Sequence, residues 1–378
     1  MAAMTTLRRV LTQSKPEIPC NVRVSSNTSS NEWPDIKPNT ITRWNDFNLE
    51  TLNQSYGHIL DLEFPAEQLA APHAEHNFQG MNIKRPDDVL QLIGWNDRML
   101  RSTVQCAKQH LDLHLGVHLK HHALTPGKKS LVRIGDGQRP VRIDHFVALD
   151  DSTLSNLVMG LSRPSHSFQG RSLVNFPTAV TQEGLWPMRQ LGNLCHMAQT
   201  RYGYIMTDKD LAVCRFYYPE GGMNRADELK VEVMAVPWTV HGEAQLTTDL
   251  ALWWLCMLAL SPTQHCALVT EDDMVGIDEW EVRYLNDEHG WVRRHQYSNV
   301  EQPVDPPPHL ASQTPSLGNQ AAFGINPNNN LPFPPHYNFY FNFNLGNNQA
   351  PVQGGEFNND LGPWDASPAP ADGEGSNN

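Results

Sequence analysis

An acidic residue in an apolar run is the first feature of this sequence that could do chemistry. Asp144 lies within a stretch that predicts a strand over Val141–Leu149, and a second short strand is predicted over Leu157–Met159. Two carboxylates that converge from neighbouring strands can hold Mg²⁺, and a lysine beside them orients the attacking water. Asp144 followed by Gly160-Leu-Ser-Arg163 therefore indicates phosphodiester chemistry with one acid absent.

A series of histidines offers a second candidate site. His110, His114 and His118 would share one face if residues 109–120 formed a helix, at a spacing that a metal ion can bridge. A zinc protease of this pattern needs Glu directly after the first histidine, and Leu111 stands there instead. We therefore interpret these histidines as solvated or packing residues rather than as metal ligands.

Several common sites are excluded by their motifs. Pro126-Gly-Lys-Lys-Ser130 lacks the first glycine of a P-loop, and Gly135-Asp-Gly137 is followed by Pro140 instead of a third glycine and a helix. The sequence contains neither a Gly-x-Ser-x-Gly nucleophile elbow nor a set of kinase motifs. Its six cysteines include no Cys-x-x-Cys pair, which favours a reducing compartment over a disulfide framework or a structural zinc site.

The elements that would position Asp144 are those of an α/β fold. Met188–Thr200 predicts a helix, and Arg201–Asp208 with Leu211–Tyr218 predicts a β-hairpin around a polar turn. Leu250–Leu260 predicts a buried helix, whose tryptophans are expected in the core. Arg85-Pro-Asp-Asp88 is typical of the start of another helix. Together these elements predict a mixed central sheet flanked by helices.

These sequence segments resemble those of a group of uncharacterised fungal proteins assigned a PD-(D/E)XK nuclease-like fold. Members carry a Gly-Asp-x-Lys motif, then a helix that begins near Arg or Gln, and then a segment like Arg201-Tyr-Gly-Tyr-Ile-Met-Thr-Asp208. A Pro-Trp like Pro237-Trp238 and a helix like Leu250-Ala-Leu-Trp-Trp-Leu-Cys-Met-Leu-Ala259 follow. The resemblance covers about residues 131–260, a third of the chain. It implies a PD-(D/E)XK nuclease-like core and, if the protein is active, an Mg²⁺ or Mn²⁺ cofactor.

The resemblance also implies roles for the residues of the catalytic motif. Asp144 would be the first metal ligand, and Gly160-Leu-Ser-Arg163 aligns with Gly-Asp-x-Lys. This alignment puts Leu161 where the second acid belongs and Arg163 where the lysine belongs. Leucine cannot bind a metal, and arginine keeps its proton where lysine can release it. The motif is therefore degenerate in this sequence.

Other residues would surround that motif. By the same resemblance, Gln190 and also Arg189 would contact the phosphate from the helix. Arg201 and Asp208 lie at the ends of the first hairpin strand, where polar residues favour a functional role near the proposed cleft. Three acids are candidates to replace the missing metal ligand: Asp150, Asp151 and Glu183.

The two ends of the sequence differ in composition from its centre. Residues 1–40 predict a disordered N-terminus, residues 41–300 the nuclease-like α/β domain, and residues 301–378 a disordered tail rich in Asn, Pro and Gly. The tail carries −7 of the formal net charge of −13, which leaves −6 for residues 1–300. Within the tail, Tyr337–Asn344 alternates aromatic residues with asparagine, a composition called prion-like. The longest apolar run is shorter than the about 20 residues that span a bilayer.

Three functions are compatible with these features. The first is a catalytically degenerate nuclease-like module that binds nucleic acid, and the second is an active metal-dependent nuclease with a relocated carboxylate. The third is a protein-interaction module that assembles through self-association of its Asn-rich tail. In each case we expect an intracellular protein, nuclear or cytoplasmic, without a membrane partner.

Overall fold

A computed structural model of the chain describes residues 3–23, 26–135, 140–151, 156–222, 225–261, 266–286 and 290–305. The strands are β1 (Met4–Thr6), β2 (Ile41–Arg43), β3 (Glu63–Pro65), β4 (Leu119–Ala123), β5 (His145–Leu149), β6 (Asn156–Ser162), β7 (Tyr202–Met206), β8 (Asp210–Tyr217), β9 (Lys230–Pro237), β10 (Trp280–Asn286), β11 (Gly290–His295) and β12 (Glu301–Pro303). The helices are α1 (Leu7–Leu11), α2 (Leu49–Leu60), α3 (Ala66–Leu69), α4 (Ala74–Phe78), α5 (Leu90–His110), α6 (Gly170–Asn175), α7 (Gln182–Ala198) and α8 (Thr248–Ala259).

The central sheet has seven strands in the order β2-β9-β8-β7-β6-β5-β4. Strands β2 and β9 are parallel, as are β6 and β7, and the other neighbours are antiparallel. The sheet is therefore mixed, and the predicted α/β class is confirmed. The predicted hairpin is confirmed as β7 and β8, which pair from Tyr202 opposite Arg215 to Met206 opposite Leu211. Thr207 closes its turn, because its Oγ1 accepts a hydrogen bond from the amide of Asp210.

Apolar side chains alternate along the strands, so each face of the sheet carries its own core. Helices α5 and α8 cover one face, here called the α8 face, and α6 and α7 cover the other, called the α7 face. Helix α8 is apolar on every side and completely buried, which matches the predicted buried helix. Trp253 and Trp254 are fully buried within it, as expected for core residues. Among the described residues, no helix is long and apolar enough to cross a membrane.

The N-terminal segment differs from the predicted disorder over residues 1–40. Strand β1 pairs with β3, and the Thr6 side chain caps α1 by accepting a hydrogen bond from the amide of Arg9. Leu7 and Leu11 are fully buried in the core of the α8 face. The few apolar residues of this segment thus find partners on helices far away in sequence, which its polar composition does not reveal.

The C-terminal end of the described residues also differs from the predicted disorder. Residues 301–303 were predicted to begin a disordered tail, yet they form β12, which pairs with β11 in a separate three-stranded sheet. The prediction for residues 306–378, including the prion-like segment, falls outside the described residues.

The histidine series does not share one helix. Helix α5 ends at His110, and the backbone φ angles of Asp112 and His114 are 51° and 46°, in the left-handed region that stops a helix. Strand β4 begins at Leu119. His110, His114 and His118 therefore lie on a helix end and the turns after it, and they do not share one helical face.

Candidate functional site

A cleft of about 440 Å³ lies at the end of the sheet where β5 begins and β6 ends. It contains the three residues that the resemblance assigned to catalysis: Asp144 directly precedes β5, Arg163 directly follows β6, and Gln190 lies on α7. Residues 26–28 and Trp33 form a further part of its wall. The structure thus brings the predicted catalytic residues together, although they come from three elements.

Asp144 is held by hydrogen bonds and is almost fully buried. Its Oδ2 accepts a hydrogen bond of 2.8 Å from the backbone amide of Ser162 and one of 3.1 Å from the Ser162 hydroxyl. Arg163 Nη1 is 3.4 Å from the same oxygen, and Arg142 Nε is 3.9 Å from Oδ1. Oδ2 of Asp144 therefore already accepts hydrogen bonds, and Oδ1 faces a second arginine.

Arg163 is fixed in the cleft by three neighbours. Its Nη1 donates to the backbone oxygen of Ser162 at 2.5 Å, and its Nη2 donates to Oε1 of Gln190. Burial lowers the pKa of Arg163, and the nearby carboxylate of Asp144 opposes that shift. The guanidinium keeps its charge in proteins, so the cleft presents an oriented cation whose planar donors suit a phosphate.

Leu161 stands where a second metal ligand would be needed. His145 pairs with Gly160, so one further step of the antiparallel register places Leu161 across from Asp144. Leu161 is buried in the core of the α7 face. Mg²⁺ requires oxygen ligands in near-octahedral geometry, and the one carboxylate here already accepts hydrogen bonds. The residues at this position do not fit a magnesium or manganese site.

The acids predicted to replace the missing ligand do not converge on Asp144. Asp150 and Asp151 follow the opposite end of β5, whose five residues span about 17 Å. Glu183 lies seven residues before Gln190 on α7, which is about 10 Å along the helix axis. The predicted metal set of Asp144, Asp150 and Asp151 is therefore not assembled.

Arg189 binds the N-terminal segment rather than lining the cleft. Its Nη2 forms an ion pair of 2.6 Å with Asp35, and its Nε donates to the backbone oxygen of Ile36 at 3.2 Å. Helix α7 turns Gln190 toward the cleft and Arg189 toward residues 35 and 36. The predicted phosphate contact by Arg189 has no support in this geometry.

Arg201 and Asp208 lie at opposite ends of β7. Since β6 and β7 are parallel, Arg201 is at the end distant from Arg163, where it is fully buried. Asp208 follows β7 and accepts hydrogen bonds from the Ser165 amide at 2.7 Å and its hydroxyl at 2.8 Å. Asp208 therefore holds the loop that follows Arg163, whereas Arg201 is outside the cleft.

Two further charged residues, Arg142 and Asp87, line the cleft. Arg142 Nη2 lies 3.3 Å from Oδ1 of Asp87, so this arginine links Asp87 to Asp144. Arg142 lies two residues before Asp144 in a strand-like run, which would have put it on the same face. No sequence signal connects Asp87 to the site, because it reaches the cleft from the turn before α5.

No family model matches this sequence, and no curated protein matches it.

Proposed function

We propose that this protein is a catalytically degenerate nuclease-like module that binds the phosphate backbone of nucleic acid in the cleft. The observation that carries the proposal is the buried Leu161 opposite Asp144, with Arg163 oriented beside it by Gln190. The cleft holds two carboxylates, Asp144 and Asp87, but Arg142 lies between them and they do not converge. It therefore lacks the set of metal ligands that phosphodiester cleavage requires. Its two arginines retain the donors that recognise phosphate.

The expected affinity is modest. The formal charge of residues 1–300 is −6, so the body of the protein provides no general attraction for a polyanion. If Arg163 and Arg142 each neutralise one phosphate, the logarithm of affinity for duplex DNA falls against the logarithm of salt concentration with a slope of about −1.8. This slope corresponds to an about 12-fold loss between 50 and 200 mM salt.

Binding of labelled single- and double-stranded DNA and RNA to the full chain, measured by fluorescence anisotropy, tests the proposal. We expect Arg163→Gln to weaken binding severalfold and to make the salt slope shallower by about 0.9 on duplex DNA. Arg98→Gln is the matched control, since this arginine is exposed on α5 and carries the same charge. Equal losses in the two variants, or no binding to any of the four probes, would refute the proposal.

A cleavage assay in Mn²⁺ separates this proposal from that of an active enzyme. Mn²⁺ accepts irregular ligand sets, so it is the ion most able to support cleavage at a site with an incomplete set of ligands. We expect no cleavage by the full chain above that of Asp144→Ala. Cleavage that disappears in Asp144→Ala would establish a nuclease with a relocated acid, for which Asp87 is the carboxylate in the cleft. The third candidate function, assembly through the Asn-rich tail, depends on residues that lie outside the described part of the chain.

A further inference from the structure

A second polar cluster lies on the α8 face of the sheet. It comprises Asp97 of α5, His121 of β4 and His145 of β5. His121 pairs with Val147 and Ala123 pairs with His145, so the two histidines are diagonal neighbours on one face. His122 points to the other face, where its ring stacks on Phe146. The cluster shares no residue with the cleft.

Three ligand atoms converge in this cluster without hydrogen bonds. Asp97 Oδ1 is 3.5 Å from His121 Nδ1 and 3.6 Å from His145 Nε2, and the three atoms lie within 4.8 Å of one another. All three are buried, and in the described part of the chain none has a hydrogen-bond partner. At these separations the carboxylate and the two imidazoles interact only weakly, and an ion between them would satisfy all three atoms.

Two of the three separations in this cluster are close to those of a tetrahedral metal ion. With metal–ligand bonds of about 2.0–2.1 Å, the edge of a tetrahedron is about 3.3–3.4 Å, whereas the edge of an octahedron is about 2.9 Å. The separations of 3.5 and 3.6 Å are close to the tetrahedral edge and too long for good hydrogen bonds. Two imidazoles and a carboxylate are a ligand set that zinc accepts.

Neighbouring groups orient the ligand atoms. His145 Nδ1 is 2.9 Å from the hydroxyl of Tyr204, and if Nδ1 donates that hydrogen bond then Nε2 presents its lone pair to the cluster. Arg101 Nε donates to the other oxygen of Asp97 at 2.8 Å. Gly160 makes room for this support, because a Cβ there would lie 2.5 Å from the Tyr204 ring.

We propose that Asp97, His121 and His145 bind one Zn²⁺ ion, which joins α5 to the edge strands β4 and β5, with water as the fourth ligand. The inference does not rest on nucleic-acid binding, since the two sites share no residue.

Zinc titration of the metal-free full chain by calorimetry tests this site. We expect one equivalent to bind, with affinity at least tenfold lower in Asp97→Asn and in His121→Gln. Tyr204→Phe keeps all three ligands and removes the hydrogen bond to His145, so we expect a 10- to 100-fold loss of affinity. His122→Gln, on the same strand but the opposite face, is the matched control and should bind as the parent protein does.

Cobalt provides a second measurement. Co²⁺ in a tetrahedral site gives an intense visible absorption, which we expect in the parent protein and in His122→Gln but not in Asp97→Asn. Circular dichroism establishes that each variant is folded, and His121→Gln at the sheet edge serves if Asp97→Asn is not. Binding of less than a tenth of an equivalent of zinc by the parent protein, or equal binding by the parent and the folded ligand variants, would overturn the proposal.

Discussion

Replacement of Lys15 by alanine should destabilise the protein more than any change at an exposed lysine. The Lys15 side chain is fully buried, its Nζ lies 2.9 Å from Oδ2 of Asp249, and it also donates to Thr248 Oγ1. The ammonium is 4.2 Å from the centre of the Trp238 ring. Asp249 Oδ1 accepts a hydrogen bond from Trp95 Nε1 at 2.9 Å, so both oxygens of this buried carboxylate have partners.

The magnitude follows from the charge that the substitution leaves behind. Burial lowers the pKa of Lys15, and Asp249 opposes the shift, so each charge depends on the other. Removing one member of a buried ion pair costs about 3–5 kcal/mol, because the partner stays buried without compensation. Replacing both with neutral residues of similar shape, Lys15→Met with Asp249→Asn, should recover most of that loss.

Urea unfolding of the full chain, followed by tryptophan fluorescence, measures these free energies. Lys37→Ala is the matched control, since Lys37 forms an exposed ion pair of 3.3 Å with Asp35 and should contribute less than about 1 kcal/mol. A loss below about 1 kcal/mol for Lys15→Ala, or a double variant no more stable than that single one, would refute the reasoning. Either result would mean that the N-terminal segment is not anchored to α8.

Three further predictions address packing, pH and the degenerate motif. Gly160→Ala should lower the free energy of unfolding in urea by about 1–3 kcal/mol, because its Cβ would overlap the ring of Tyr204. Gly94→Ala is the control: it has open space on α5 and should stabilise the protein by up to about 1 kcal/mol. Equal effects of the two substitutions would contradict this. Burial lowers the pKa of His295 to about 4, below its unfolded value near 6.5, so its contribution is lost as pH falls from 6.5 to 4. The parent protein should therefore lose about 2 kcal/mol more than His295→Gln between pH 7.5 and 5, and equal losses in urea unfolding would count against it. Leu161→Asp with Arg163→Lys rebuilds the acid and lysine positions and should raise Mn²⁺ affinity at least tenfold in calorimetry, which an unchanged affinity would disprove.

Local sequence patterns predicted the elements that are stabilised by near neighbours. The β7–β8 hairpin needed only two apolar runs and a polar turn, and α8 needed only an unbroken apolar run. The apolar run Leu131–Ile134 also predicts a strand, but in the structure only Val132 pairs there, through an isolated bridge to Val141. The predicted strand Val141–Leu149 begins later, at His145. A β-rich composition thus predicts the core strands better than the loops beside them.

Contacts between distant segments could not be predicted in the same way. The acidic partner of Lys15 is 234 residues away, so the N-terminal composition predicted disorder. The convergence of Asp144, Arg163 and Gln190 followed from the resemblance, whereas Asp87 enters the cleft without any local signal. The histidines that converge with Asp97 belong to neighbouring strands, and the conspicuous helical spacing from His110 onward pointed elsewhere. Sequence spacing identifies sites within one element and misses those that the sheet assembles.

The anchoring of the N-terminal segment has a consequence for how the chain folds during synthesis. At about 5–20 residues per second, Lys15 is synthesised roughly 12 to 47 s before Asp249. Throughout that interval Lys15 lacks its carboxylate partner and α1 lacks its contacts with α8, although α2 is already available to it. This segment can therefore complete its native contacts only after about four-fifths of the described residues have followed it, and factors that protect nascent chains have that long to act on it.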